Sequence, residues 1–517
     1  MILEAEYIQI KAENLRLKTE NQELGNKIAI LKHELEQIRR MMYGKSSERS
    51  KGLYYDNGQM NLFEDEPEAD KPEVKKVQVR SHDKVKTRKN PKRNILPAHL
   101  PREIETILPE GIDEDEYVKI GEDITEVLVY TPGEFYVKRT IRPRLASKAA
   151  DNSSEAAVVQ ASIPPRLIPR GMVDESLIAH LIEEKFLFHT PVYRLAKKYR
   201  QAGLGFIDKK NMHNWIHRAA EALMPLYHLL EKDLLQSPYL QGDESTLTVL
   251  SSNKPGASHT GYMWLIHNPE DRTTLFHYDP TRQHRVAHEL FGNYSGILQA
   301  DGYEAYESVA KVNQKMGLIN CMAHARRKFV DAQNSDPPEV QYYLKEIQKL
   351  YQLEKQLREQ KADYDTRLSE RQKTAVPILD NLKRWMEELL VQNRILPKSP
   401  LGKAIAYSLS RWDGLCAYTQ DGRLEIDNNL IENEVRPLAL GRKNYLFAKN
   451  HDTARNIACL YSIILTANKN NLCIQKYLEW LLRKSVTEKI TDQAISWLPH
   501  KLSQENKEKF KLKEDGV

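Results

Sequence analysis

The stretch from residue 239 to residue 332 constrains this chain most, because its hydrophobic period changes there in a fixed order. Tyr239–Leu250, Gly261–His267 and Thr273–Tyr278 have strand composition, and the turn-rich Ser251–Ser258 separates the first two. Gln283–Phe291 has helical spacing, Gly296–Ala300 is a short apolar run, and Gly302–Val312 is helical again. Gly317–Cys321 and Met322–Ala332 repeat strand and helix. Three antiparallel strands, a helix, then parallel strands alternating with helices predict an RNase H-like α/β core.

Two acids fall at telling places in that order. Asp243 lies inside the first strand, in Leu240-Gln241-Gly242-Asp243-Glu244-Ser245, and Asp301 ends the fourth, in Leu298-Gln299-Ala300-Asp301-Gly302-Tyr303. Ends of adjacent strands converge, so the two carboxylates face each other and repel, and a divalent cation between them removes that cost. A third acid, Glu432, follows a long helical stretch, in the run from Glu425 through Asp427, Asn428 and Asn429 to Arg436 and Pro437. Asp427 or Asn428 suits the cap of a helix carrying Glu432, with Arg436 on the same face and Glu434 pointing elsewhere. A lone Asp at a strand end is more often a turn residue than a ligand. The three acids in this context point to metal chemistry.

The rest of the chain reads as further units, since 517 residues exceed one core. Leu3, Ile10, Leu17, Leu24, Leu31 and Ile38 recur every seven residues, and Asn14 and Asn21 take matched seam positions. Residues 1–45 are therefore expected to be a coiled-coil helix that dimerises the chain through residues 1–42. Residues 46–95 read as a flexible linker whose end is basic, with Lys86, Arg88, Lys89, Lys92 and Arg93 set to lie along a phosphate backbone. Residues 96–165 read as a small β module, with strands Glu126–Tyr130 and Phe135–Ile141 around Thr131, Pro132 and Gly133. It contains no cysteine, so it must fold by its own apolar contacts.

Residues 166–236 are helical, with a Gly203–Gly205 break and an Asp208 cap for a helix to Leu223. That arrangement fits a helix-turn-helix DNA reader and equally any helical hairpin. The core spans 237–450, interrupted at about 333–423 by helices with apolar stripes at Leu344, Ile347, Leu350, Leu357 and at Leu379, Leu382, Trp385, Leu389. Residues 451–517 form a helical tail anchored by Trp480 and Trp497. The expected class is multidomain α+β. Cys321, Cys416, Cys459 and Cys473 form no C-x-x-C pair, which argues against a disulfide framework and against zinc. No apolar run is long enough for a membrane span, and no signal peptide opens the chain, so a cytosolic protein is expected.

These motifs resemble the insertion-sequence transposases of the IS66 family. The resemblance is carried by Met42-Tyr43-Gly44-Lys45-Ser46-Ser47-Glu48-Arg49, Pro164-Pro165-Arg166-Leu167-Ile168-Pro169, Asp243-Glu244-Ser245, Gln299-Ala300-Asp301-Gly302-Tyr303 and Ala323-His324-Ala325-Arg326-Arg327-Lys328-Phe329. Its most specific block is Ile426-Asp427-Asn428-Asn429, Glu432, Arg436-Pro437 and Gly441-Arg442-Lys443-Asn444-Tyr445-Leu446-Phe447. It departs from the family by lacking a cysteine-rich segment and by having Asn433 where Arg is usual. It implies a DDE transposase with Asp243, Asp301 and Glu432 as the acids, holding two Mg²⁺ or Mn²⁺ ions. It further implies binding of terminal inverted repeats and target DNA, small accessory proteins from the same element, and a bacterial cytoplasmic, nucleoid-associated location. Arg326, Arg327, Lys328 and Arg436 flank the acids, and Arg442 and Lys443 are expected just after the Glu432 helix; all are candidate DNA contacts. His324 is expected to be a hydrogen-bonded structural histidine. The competing readings are a non-catalytic dimeric DNA-binding protein and a metal-dependent nuclease that does not join ends.

Overall fold

The computed structural model describes residue 96 and residues 100–108, 117–131, 133–147, 158–250, 257–392 and 394–511. The heptad segment and the basic linker, with Lys86, Arg88, Lys89, Lys92 and Arg93, lie outside the described residues.

Strands β1 (Arg102–Thr106), β2 (Tyr117–Thr131), β3 (Glu134–Ser147) and β4 (Val158–Gln160) form one sheet, in which β3 pairs with each of the others. The β2–β3 hairpin stands where expected, longer in both arms, with Thr131 opposite Glu134 and Gly133 left-handed at φ 90°. The expectation that this module folds on its own contacts is corrected. Leu128 and Val137 belong to the main core, and the backbone of Leu128 bonds both Met172 and Asp174.

Helices α1 (Glu175–Phe186), α2 (Val192–Gln201) and α3 (Lys209–Leu234) follow. The Asp208 carboxylate accepts the Asn211 N–H at 2.7 Å, as a helix cap should. The helix does not stop at Leu223 but runs through Pro225, because Leu226, Tyr227 and Leu230 continue its buried face. Tyr227 ties that face to the strand Thr273–Asp279 by donating its hydroxyl to the Phe276 carbonyl at 3.0 Å.

The central sheet holds β5 (Tyr239–Leu250), β6 (Ser258–Asn268), β7 (Thr273–Asp279), β8 (Gly296–Ala300) and β9 (Met316–Asn320) in the order β7-β6-β5-β8-β9. Strand β6 runs antiparallel to both β5 and β7, and β5, β8 and β9 are parallel. Strand β6 starts at Ser258 rather than Gly261, because its pairing with β5 extends to Leu250 opposite Ser258. Between strands lie α4 (His284–Phe291), α5 (Glu304–Val312) and α6 (Met322–Asp331). Helix α5 begins two residues later than the sequence predicts because Gly302, at φ 94°, cannot enter a right-handed helix. Among the described residues, no helix is long and apolar enough to cross a membrane.

Helices α7 (Pro337–Glu359), α8 (Tyr364–Glu370), α9 (Val376–Val391), α10 (Pro400–Ser410) and α11 (Trp412–Cys416) carry the two predicted stripes. Leu344, Ile347, Leu350, Leu357, Leu379, Leu382 and Leu389 are buried with Ile319, Met322 and Phe329, and Trp385 packs against them. These helices therefore sit on β9 and α6. A π-helical turn, Arg371–Ala375, joins α8 to α9 and turns the fully buried Arg371 toward Glu354, at 2.7 and 2.8 Å.

Helices α12 (Asn429–Tyr445), α13 (His451–Lys469), α14 (Ile474–Thr487) and α15 (Gln504–Phe510) complete the chain, and Trp480 meets Trp497 edge to face. Helix α13 covers the edge of β7. Its Ser462 and Thr466 hydroxyls, four residues apart, accept the N–H groups of Phe276 and Thr274 at 2.8 and 3.1 Å. Both hydroxyls are fully buried. Replacing Ser462 with Ala and Thr466 with Val should cost about 1–3 kcal/mol each, by stranding those amides. Denaturant unfolding checks this; unchanged midpoints would show that water had replaced the hydroxyls.

Candidate active site

Asp243 and Asp301 meet through strand register. Gln241 pairs with Gln299 across the parallel β5–β8 ladder, and each aspartate follows its glutamine by two residues. Side chains two apart share a face and neighbouring strands lie about 4.8 Å apart, so both acids leave the sheet side by side. Glu244 faces the other way, where Tyr306 donates to it at 2.8 Å and Arg282 Nε at 2.8 Å.

The glutamines bring in the third acid. Their amides touch each other at 2.9 Å, and both are fully buried. Gln241 Nε2 donates to the Asp427 carbonyl at 3.1 Å, and its oxygen accepts the Ile431 N–H at 3.2 Å. Gln299 Nε2 donates to the Glu425 carbonyl at 2.8 Å. The segment preceding α12 is thereby held across the face that bears the two aspartates, and Glu432 lies in the first turn of α12.

Neither glutamine stands out in the sequence as functional. The signal that finds them is the repeated Gln-x-Asp, Gln241-Gly242-Asp243 and Gln299-Ala300-Asp301. Changing Gln241 to Leu should leave the Ile431 amide only the Asn428 carbonyl, 3.1 Å away, at a cost of about 0.5–1.5 kcal/mol for the lost bond. The expected readout is faster hydrogen exchange at Ile431; protection equal to wild type would mean the glutamine is not the clamp.

The electrostatics agree with this geometry. Burial pushes the Asp243 carboxyl up to about 8, helped by the charges of Glu244, Asp301 and Glu432. Burial also raises the Glu432 carboxyl; Asp427 and Asp301 add to the rise, while Arg327 and Arg436 oppose it. Asp301 bonds the Tyr303 N–H at 2.9 Å. Its turn is braced by Tyr407, which donates to the Asp301 carbonyl at 2.7 Å, and by Arg411, which donates to the Gly302 carbonyl. A side chain on Gly302 would strike both braces.

Around α12 some expectations hold and others are corrected. Asn428 takes the N-cap position without a side-chain cap bond, and it is Asp427 that accepts the Asn429 N–H, at 3.0 Å. Glu434 does point elsewhere, buried against Lys469 at 2.7 Å, and Glu425 pairs with Arg367 at 2.9 Å. Arg442 and Lys443 lie in the last turn of α12 rather than beyond it, because the helix runs on to Tyr445. Arg442 is half-buried and donates to the Thr246 hydroxyl at 2.9 Å, whereas Lys443 is exposed. Arg326, Arg327, Lys328 and Arg436 are all exposed. His324 is not the hydrogen-bonded histidine expected: its buried Nδ1 has no hydrogen-bond partner and stands 3.9 Å from Glu432 Oε1. Burial lowers its pKa, with Asp301 opposing.

The family model described as Transposase IS66 family matches residues 170–456, and a second, described as Transposase C of IS166 homeodomain, matches residues 30–104. Uncharacterized protein y4jD of Sinorhizobium fredii is 31% identical over 93% of this chain and 96% of its own length. Uncharacterized protein y4qI of the same organism is 32% identical over 92% of this chain and 89% of its own length. The first match spans more than half of the chain and all three acids, and the chain belongs to the IS66 family of transposases.

Proposed function

We propose that this transposase cuts and joins DNA at Asp243, Asp301 and Glu432, on a sheet of RNase H-like order. The observation that carries the reading is the paired Gln-x-Asp register, which sets two acids side by side and tethers the segment leading to the third. The donor set fits Mg²⁺ or Mn²⁺, since it consists of carboxylate oxygens, and a hard cation would relieve both the burial of the Asp243 charge and its repulsion by Asp301 and Glu432. Asp243, Asp301 and Glu432 would hold the ions. When bound, they supply an activated oxygen nucleophile and stabilise the departing 3′ oxygen.

The chain's own residues do the rest. Arg327 and Arg436 act electrostatically on Glu432 and are exposed beside it, so they are suited to hold phosphates of the scissile strand. Arg326, Lys328 and Lys443 extend that basic rim, while Arg442, tied to β5, contributes less. Tyr407 and Arg411 keep the Asp301 turn from shifting when DNA enters. Terminal inverted repeats and target DNA are the substrates in this reading. Dimerisation runs through residues 1–42, and small accessory proteins of the same element take part.

The test is a Mg²⁺-dependent strand-transfer reaction with inverted-repeat donor ends and plasmid target. Products that link donor 3′ ends to target, lost in Glu432→Gln, are expected. Liberated fragments without joining would indicate a nuclease, and binding without cleavage a non-catalytic DNA-binding protein.

A further inference from the structure

We propose that Cys321, His324 and Glu432 form a binding site for a thiophilic divalent cation of the Zn²⁺ or Cd²⁺ class, sharing Glu432 with the proposed catalytic acids. Register brings the cysteine there. Ala300 pairs with Asn320 across β8 and β9, so Cys321 is the next-strand neighbour of Asp301, and its N–H donates to the Ala300 carbonyl at 3.2 Å. Helix α6 then begins, and three residues later His324 returns to the same face. Glu432 arrives from α12. One ligand atom from each of the three residues lies within 4.8 Å of the other two.

The donor chemistry selects the ion. A thiol, an imidazole and one carboxylate match a tetrahedral, borderline-soft cation, with bond lengths of about 2.0–2.3 Å, and not Mg²⁺, which prefers oxygen throughout. Two local features point the same way. The Cys321 sulfur accepts the Asn428 N–H at 3.4 Å at the N-terminus of α6, which fixes its position, while burial pushes the free thiol up so that it keeps its proton until a cation displaces it. The His324 Nδ1 is buried and unpartnered, facing Glu432. Three protein ligands leave a fourth position open to water, unlike structural sites, which are closed by four protein ligands. On binding, the thiol proton leaves to solvent and a sulfur–metal bond replaces it. The zinc-free expectation rested on the absence of C-x-x-C pairs. The overlooked signal is Cys321-Met322-Ala323-His324, a ligand spacing completed by a residue more than a hundred positions away.

The site rests on the catalytic reading only through Glu432, so an ion held there would compete with the hard cations for one carboxylate. The test adds Cd²⁺ alone to the metal-free full-length protein and follows the ultraviolet thiolate-to-cadmium charge-transfer band. A saturable band at a single equivalent is expected, abolished in Cys321→Ser, kept in Cys416→Ser and Cys473→Ser, and at least about tenfold weaker in apparent affinity in His324→Ala. No band in the wild type, or an unchanged band in Cys321→Ser, overturns the proposal. If circular dichroism shows Cys321→Ser unfolded, His324→Ala decides, and unchanged Cd²⁺ affinity there overturns it too. A band without strand transfer sinks only the catalytic reading; strand transfer without a band sinks only this site.

Discussion

Asp243→Asn is expected to lower strand transfer by on the order of 10³-fold, because losing about 4 kcal/mol of ion-derived stabilisation corresponds to three factors of ten. The same change should strengthen the metal-free fold at higher pH, and the sign follows from linkage. The Asp243 carboxyl is raised from 3.8 to about 8 in the folded chain, so between those values the native state holds a proton that the unfolded state has released. The stability this contributes is fully present below about 4 and is lost as the pH rises toward about 8. In the metal-free wild type the unfolding temperature should therefore fall across that window. In Asp243→Asn the fall should flatten, and Mg²⁺ should stabilise the wild type most at the alkaline end. A variant that kept full joining activity would falsify the assignment of this acid; identical pH profiles would mean that the buried Asp243 carboxyl does not hold its proton through this window.

Arg371→Met should be the most destabilising single change away from the acids. The guanidinium is fully buried, with both of its bonds to Glu354 under 3 Å and further bonds to the Tyr418 and Asp421 carbonyls. Removing it leaves the buried Glu354 charge only the 3.6 Å contact with Arg367, at a cost of about 3–5 kcal/mol, whereas the double change Arg371→Met with Glu354→Leu should recover most of that loss. The effect reaches the candidate site, because Arg367 bridges Glu354 and Glu425, and Glu425 opens the segment that the glutamines clamp. Urea titration of the three proteins checks the cycle. A double variant no more stable than Arg371→Met would mean that the two carbonyl bonds, not the ion pair, hold the turn.

The strands and helices from Tyr239 to Asp331 were legible because their period is set by one sheet with helices packed on it, and the acids were legible because they end or interrupt those strands. Gln241 and Gln299 were not. As buried polar residues they acquire meaning only once β5 and β8 pair in register, and nothing local in the sequence fixes that register. The Arg371–Glu354 pair was hidden for a related reason: a π-turn re-aims the arginine, and a helical period of 3.6 does not anticipate it. His324 was read as satisfied because most buried histidines are, yet it faces Glu432, which comes from another part of the chain. The β module's dependence on α1 escaped because Leu128 and Val137 look like ordinary strand residues until the hairpin is docked.

The hydroxyl pair on α13 has a consequence for how the chain can be divided. The matched family region ends at residue 456, yet the amides of Thr274 and Phe276 are quenched by residues 462 and 466. A fragment cut at that limit would keep every acid and still present a bare outer strand, ready to recruit a strand from another molecule. The smallest unit that keeps this edge covered therefore extends through the whole of α13.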